Sequence, residues 1–133
     1  MKSKIEKFDF YSAIILNLLL NNFPLKRDIY ILKDILKDSN ATLEDKKFVY
    51  ESIIALRDFG FLSLDESVQT LDFEVIFGAR LSLKALEVLK STPKSLNINK
   101  SLGEKLKDSL DLADKEAIKQ SVNLAFSLAS KVF

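Results

Sequence analysis

The sequence contains no cysteine, no histidine and no tryptophan, and only three glycines and two prolines among 133 residues. Without cysteine or histidine, the chain cannot supply a thiol nucleophile, a disulfide, a zinc finger, an imidazole base or a Ser-His-Asp triad. The three glycines do not form either of the phosphate-binding patterns GxxxxGK and GxGxxG. We therefore expect no enzyme and no cofactor.

Long hydrophobic runs are also missing. The main apolar run, Ala13–Leu20, is interrupted by Asn17, is too short to span a bilayer, and is not followed by a small-residue cleavage site. Hydrophobic residues make up 47% and charged residues 29% of the chain, which is typical of one globular domain. We expect a cytoplasmic protein, because the lack of cysteine suits a reducing compartment.

The spacing of apolar residues predicts a mainly α protein with a β-hairpin, in the α+β class. Thr42 followed by Asp45 is the clearest helix start, because this pair resembles a capping box. We expect Gly78 to close the second strand or to lie in a bulge, and the last helix to break near Asp111–Asp114. The predicted elements are helix Phe10–Asn22 capped by Asp9, helix Leu25–Lys37, a helix from Thr42 to Gly60, strands Phe61–Leu64 and Leu71–Phe77 around the turn Asp65–Thr70, helix Leu83–Lys90 capped by Ser82, and helix Ser101–Lys131.

Two segments resemble the winged helix-turn-helix superfamily. In Tyr50–Leu62 a leucine-containing helix runs into Phe-Gly-Phe, and in Ala79–Leu89 the triplet Arg-Leu-Ser leads into the next helix. The resemblance covers about Phe10 to Pro93 and implies a winged-helix-like domain over residues 1–93, followed by a linker (94–100) and a C-terminal amphipathic helix (101–133). It also implies DNA contact, with the third helix in the major groove and the hairpin at phosphates or in the minor groove.

Charge does not favour DNA binding by these elements. From Ala41 to Gly60 there are three basic and four acidic residues, and from Phe61 to Arg80 one basic and four acidic residues. DNA affinity depends on lysine and arginine that neutralise phosphates, so a surface of this charge repels DNA. A small basic patch remains open if the starts of the second and third helices lie side by side, with Lys26, Arg27, Lys46 and Lys47 as its members.

The C-terminal helix has an apolar stripe at spacings of three and four residues. The first part of the stripe is Leu102, Leu106, Leu110, Ala113 and Ala117. The candidate contacts with a dimer mate, another partner or a membrane are Ile118, Val122, Phe126, Ala129 and Phe133. Three alternatives remain: the helix folds back on the core, pairs with its copy in a homodimer, or lies on a membrane or in a groove of another protein.

Acidic residues give no clear metal site. Four acids of the hairpin could gather at one of its ends, but their spacing matches no known metal-binding loop, and we expect no metal. In the last helix, Asp108 and Asp111 are expected to pair with lysine at helical spacing. The sequence favours a non-catalytic interaction or regulatory protein whose partner is another protein, including a second copy of itself. The alternatives are a DNA-binding transcriptional regulator and a peripheral membrane effector.

Overall fold

The computed structural model describes residues 3–94 and 99–132, and its first element is the long helix α1 (Lys4–Asn22). Ser3 caps this helix, because its hydroxyl accepts a hydrogen bond from the Glu6 N–H at 3.2 Å. The predicted cap at Asp9 is wrong: Asp9 lies inside α1 and is only 4% exposed. The predicted end at Asn22 is confirmed.

The second predicted helix, Leu25–Lys37, is wrong in its first half. Residues Arg27–Tyr30 form the strand β1, and only Ile31–Leu36 are helical, as one π-helical segment. In β1 the side chain of Ile29 is fully buried and lies opposite Ile76 of a later strand. A distant sheet partner therefore overrides the helical pattern here.

The third predicted helix is confirmed as α2 (Leu43–Asp58). Thr42 accepts a hydrogen bond from the Asp45 N–H at 3.2 Å, and the Asp45 carboxylate accepts one from the Thr42 N–H at 2.9 Å. This reciprocal pair is the predicted capping box. Gly60, which follows the helix, has a φ of +82° that glycine adopts without strain.

The hairpin is confirmed, but its second strand begins later than predicted. It consists of β2 (Leu62–Ser63) and β3 (Val75–Leu81), and β1 adds to the other edge of β3 to give the antiparallel order β1-β3-β2. The β1–β3 register shifts where Gly78 adopts a φ of +67°, so this glycine lies in a bulge. A Cβ on Gly78 would lie 2.7 Å from the Cβ of Asp65, so the bulge also needs a residue without a side chain.

Three helices complete the chain: α3 (Leu83–Lys90), α4 (Leu102–Asp111) and α5 (Lys115–Val132). The bounds of α3 are as predicted, and the predicted break of the last helix is confirmed at residues 112–114, where Ala113 has a φ of +52°. The sequence predicts that Asp108 and Asp111 pair with lysine at helical spacing. For Asp108 this is wrong, because it pairs with Lys100, eight residues earlier. Most of the predicted linker, residues 95–98, lies outside the described residues.

The C-terminal helices fold back onto the rest of the protein. Their inward side chains join the same apolar core as α1, α2, β3 and α3, and α5 packs against α1, α3 and α4. Ile118 and Val122 of α5 are at most 2% exposed, as are Leu102 and Leu106 of α4. The fold is therefore mainly α with a β-hairpin, as predicted. In the described part of the chain, every helix is too short or too polar to cross a membrane.

Candidate interaction surface on α2 and the hairpin

The segment that joins β2 to β3, residues 64–74, folds back along α2; we call it the wing. Glu74 at its end pairs with Lys46 near the start of α2, with Nζ and Oε1 2.8 Å apart. Glu66 pairs with Arg57 near the end of α2, with Nη1 and Oε1 2.7 Å apart. Lys46 and Arg57 are eleven residues apart and so lie on the same face of the helix. The wing thus covers this face along most of α2.

An aromatic contact lies between the two ion pairs. The rings of Tyr50 and Phe73 meet edge to face, with centroids 5.0 Å apart and an angle of 73° between the planes. Phe73 has a φ of +58°, a conformation that a residue with a bulky side chain rarely adopts. The strained backbone of Phe73 thus occurs where its ring packs against Tyr50, which is 8% exposed.

The wing is also held to β3 through one amide side chain. The Gln69 amide nitrogen donates to the backbone oxygens of Asp65 at 2.9 Å and Phe77 at 2.7 Å. The Gln69 amide oxygen accepts a hydrogen bond from the Phe77 N–H at 3.0 Å. Gln69 therefore completes backbone hydrogen bonding where the ladder between β2 and β3 has ended.

Two acids on this side of the molecule act as local caps. The pKa of Asp72 is lowered, first by a hydrogen bond from the Glu74 N–H and then by one from the Thr70 hydroxyl. The pKa of Asp45 is lowered, mainly by its hydrogen bond with the Thr42 N–H. Both carboxylates therefore remain charged at neutral pH, which adds to the negative charge around the wing.

The outward surface of α2 and the wing is acidic and apolar. The strongly exposed charged side chains of α2 are Glu44, Lys47, Glu51 and Asp58, so three acids face solvent with one base. The wing itself contains four acids and no base. Three large apolar side chains of α2 and the wing are also exposed: Leu71 at 80%, Leu43 at 64% and Val68 at 48%. We call this surface, formed by the outer face of α2 and the wing, the acidic face.

The four predicted nucleic-acid contacts belong to two parts of the chain, Lys26 and Arg27 at the start of β1 and Lys46 and Lys47 in α2. Arg27 lies on β1 and pairs with Asp34 at 3.2 Å, and Lys46 pairs with Glu74. Lys26 and Lys47 are exposed. Arg27 lies at one end of β1, opposite Ala79 of β3. Tyr30 lies at the other end, opposite Val75, which follows the Glu74 that pairs with Lys46. These two ends are about 10 Å apart at the usual rise per strand residue.

Three of the five predicted dimer, partner or membrane contacts are inside the protein's own core. Ile118 is 2% exposed, Val122 0% and Ala129 1%. Phe126 is half-buried, and its ring lies 5.9 Å from that of Phe8 and 5.2 Å from that of Phe61. Of the three alternatives for this helix, the structure shows the fold-back. A partner could reach the three buried side chains only if α5 left the core; Phe133 lies outside the described residues.

Sequence reasoning did not identify the residues that attach the wing. No sequence pattern marks Tyr50, Phe73 or Gln69 as contacts, and Arg57 contributes there only to the charge of its segment. The available signal is that the third helix contains bases and the hairpin contains acids, but which acid meets which base depends on how the wing folds. Comparisons with models of protein families, with curated proteins and with solved structures find no match for this chain.

Proposed function

We propose that this protein is a non-catalytic regulatory protein that acts by binding another protein through the acidic face. The observation that carries the proposal is that two of the three basic residues of α2, Lys46 and Arg57, already have carboxylate partners from the wing. Phosphate groups would have to displace these acids. The same surface presents acidic and apolar side chains to a partner.

The chemistry of the surface indicates the chemistry of the partner. Leu43, Val68 and Leu71 are large apolar side chains exposed among acids. Exposed apolar groups rimmed by charge are typical of protein interaction sites, and complementary charge steers association. The proposed partner therefore presents a basic surface with apolar side chains. A cytoplasmic location is part of the proposal, which the absence of cysteine suits.

A site-specific photo-crosslinker at Leu71 tests this proposal. Leu112, in the turn between α4 and α5, is 78% exposed and provides a matched control outside the acidic face. Crosslinking in the native cell is expected to attach one specific protein at position 71 and not at position 112. With that partner purified, Leu71→Asp should weaken binding at least tenfold, because a charge replaces an apolar contact, while Leu112→Asp should leave the Kd unchanged.

Equal crosslinking at the two positions, or equal loss of affinity in the two aspartate variants, would contradict the proposal. So would tight binding to duplex DNA at low salt that fades steeply as salt rises, because this dependence is the signature of phosphate contacts.

A DNA-binding regulator is the second candidate, and the order of the elements favours it. Three helical segments (α1, the π-helical segment and α2) precede the hairpin, and α3 follows it; the two segments that resemble the winged helix-turn-helix superfamily, Tyr50–Leu62 and Ala79–Leu89, lie at the two ends of this hairpin. If DNA binds here, the double variant Glu66→Gln/Glu74→Gln should bind more tightly, because it removes the wing carboxylates from Arg57 and Lys46; Arg57 keeps its pair with Asp58 at 3.1 Å. The Ala variants of Lys26, Arg27, Lys46 and Lys47 should bind less tightly. Mobility shifts at several salt concentrations measure both effects, and unchanged affinity in both sets removes this candidate.

A further inference from the structure

The contact between α1 and α5 buries an acid beside its apolar packing. Asp9 belongs to α1 and is only 4% exposed, and Ile118 of α5, which lines the same cleft, is 2% exposed. Charged residues are almost never buried to this degree unless they have a partner. Asp9 is therefore an exception that the docking of α5 creates.

One oxygen of this carboxyl group has no partner. Asp9 Oδ2 has less than 1 Å² of accessible surface and accepts no hydrogen bond from any described residue. Asp9 also forms no ion pair within residues 3–94 and 99–132. A buried carboxylate needs hydrogen bonds or a cation to replace the water that it has lost, whereas a protonated carboxyl group is uncharged and costs much less to bury. The geometry thus favours the protonated form of Asp9.

The charged groups around Asp9 are exposed and have both signs. They are Glu6 on α1 and Lys115, Glu116 and Lys119 on α5. Burial raises the pKa of Asp9; the charge of Lys119 and a hydrogen bond with Asn123 oppose this rise, and the charge of Glu6 adds to it. The surroundings therefore compensate the buried charge only in part.

We propose that Asp9 makes the docking of α5 on α1 sensitive to protons: α5 is held more firmly when the Asp9 carboxyl group is protonated than when it is ionised. The cleft around Asp9 is lined only by α1 and α5, so the carboxyl group meets water once α5 leaves. The docked state then binds a proton more tightly than the undocked state does. Proton binding therefore favours docking, as any ligand favours the state that binds it more tightly.

The direction of the pH dependence follows from burial. Below the usual aspartate pKa of about 4, Asp9 is protonated in the docked and undocked states alike, and the docked state has its full stability. As the pH rises from there through the raised pKa of Asp9, the proton is lost and the docked state becomes less stable. Asp45 and Asp72 act in the opposite direction, because hydrogen bonds lower their pKa values.

A proton-sensitive contact at this position controls access to the apolar stripe of α5. Val122, Ala125 and Ala129 are each at most 1% exposed while α5 is docked, and a partner can reach them only after α5 has left the core. Ionisation of Asp9 increases the population of that undocked state, and protonation decreases it. Apolar packing alone would not respond to pH in this way.

Equilibrium unfolding in urea between about pH 4 and pH 7.5 tests the proposal on the full chain. The quantity to follow is the ratio of the unfolding constant of the parent to that of Asp9→Asn, because groups common to both proteins cancel in it. This ratio should increase by about threefold or more as the pH rises, since only the parent has to bury a charge at position 9. Glu116→Gln, which removes an exposed acid beside Asp9, is the matched control, and its ratio should change less.

A single cysteine locates the effect at α5. Ser121 of α5 is 1% exposed and its hydroxyl has no partner among the described residues, so Ser121→Cys removes no hydrogen bond. The chain has no other cysteine, and a thiol reagent therefore modifies this position alone, when it becomes exposed. At one fixed pH near neutrality, the further change Asp9→Leu should slow the modification by about threefold or more, because an apolar group of similar size replaces a buried charge. Asp9→Leu also serves in the urea experiment if Asp9→Asn does not fold.

Three results would overturn the proposal. They are a ratio of parent to Asp9 variant that is constant with pH, a ratio that decreases as the pH rises, and equal modification of Ser121→Cys with and without Asp9→Leu. A decreasing ratio would mean that the docked state stabilises Asp9 as a carboxylate. None of these results depends on the partner proposed for the acidic face.

Discussion

Two segments of this protein pack back onto earlier helices, and they do so with different chemistry. The C-terminal helix α5 places an apolar stripe against α1 and α3, and Ile118, Val122, Ala125 and Ala129 are each at most 2% exposed. The wing lies on α2 through two ion pairs and one aromatic contact, and the charged groups of its ion pairs are 20–59% exposed. One segment is part of the core, whereas the other is attached at the surface.

The difference in burial implies a difference in energy. Burying apolar area contributes about 25 cal/mol for each Å² removed from water, whereas an exposed ion pair contributes about 0–1 kcal/mol. We therefore expect the docking of α5 to account for much more of the stability than the attachment of the wing. We therefore also expect the wing to move more easily than α5.

The contact between α1 and α5, which is expected to be the stronger of the two, has the less complete hydrogen bonding. Asp9 Oδ2, Ser12 Oγ and Ser121 Oγ are buried on α1 and α5 without hydrogen-bond partners among the described residues. A buried polar group without a partner costs about 1–3 kcal/mol. The α1–α5 contact thus owes its strength to apolar packing, and its polar groups reduce it.

The largest expected effect comes from removing apolar volume between α5 and the core. Ile118→Ala should lower the free energy of unfolding by about 2–5 kcal/mol, because it leaves a cavity at a side chain that is 2% exposed. Gln120→Ala, two residues further on and exposed, should change it by less than about 0.5 kcal/mol. Urea denaturation measures both. Equal small effects would mean that α5 is not docked in solution.

The next effect tests how closely α4 approaches its neighbours. A Cβ on Gly103 would lie 2.7 Å from Leu20 Cδ2 and 3.1 Å from the backbone oxygen of Leu89. Gly103→Ala should therefore cost about 1–2 kcal/mol, because overpacking outweighs the higher helix propensity of alanine. Lys107→Ala on the exposed side of α4 is the control. A gain in Tm for Gly103→Ala would show that α4 is packed more loosely than described.

Local signals in the sequence were sufficient for several elements. The capping box of Thr42 and Asp45, the cap at Ser82 and the break before Asp114 each depend on residues within one helical turn, and all three are confirmed. The apolar stripe of the last helix predicted the fold-back as one alternative among three. It could not decide between them, because a stripe of this kind fits the protein's own core and a partner equally well.

The wrong predictions share one cause, which is a contact with residues that are distant in the sequence. The apolar spacing predicts a helix for Arg27–Tyr30, yet these residues pair with a strand about fifty residues later. The second hairpin strand was placed from Leu71, but it begins at Val75 because Phe73 turns towards Tyr50. Likewise, no local pattern shows that Lys46 and Arg57 are neutralised by the wing. The charge sum of each segment was correct, but the pairing required the fold.

A moderate effect is expected where the wing contacts Tyr50. Phe73→Ala removes the ring contact and keeps the strained φ of +58°, so it should cost about 1–2 kcal/mol. Phe73→Gly removes the same contact but adopts this φ without strain, and it should be up to about 1 kcal/mol less destabilising. Denaturation of the two variants side by side measures this difference. If alanine is tolerated better than glycine, Phe73 does not have a left-handed backbone in solution.

The smallest effect is expected at the ion pairs of the wing. Glu74→Gln and Lys46→Met should each change the stability by about 0–1 kcal/mol, because the pair is only partly buried. A double-mutant cycle isolates the coupling between the two side chains, which should decrease when salt rises from about 0.05 to 0.5 M, because screening weakens exposed charges. A coupling above about 2 kcal/mol that is insensitive to salt would contradict surface attachment, because only a desolvated pair behaves in this way. The wing would then be as firmly held as α5, and a partner of the acidic face would have to bind it in its present position.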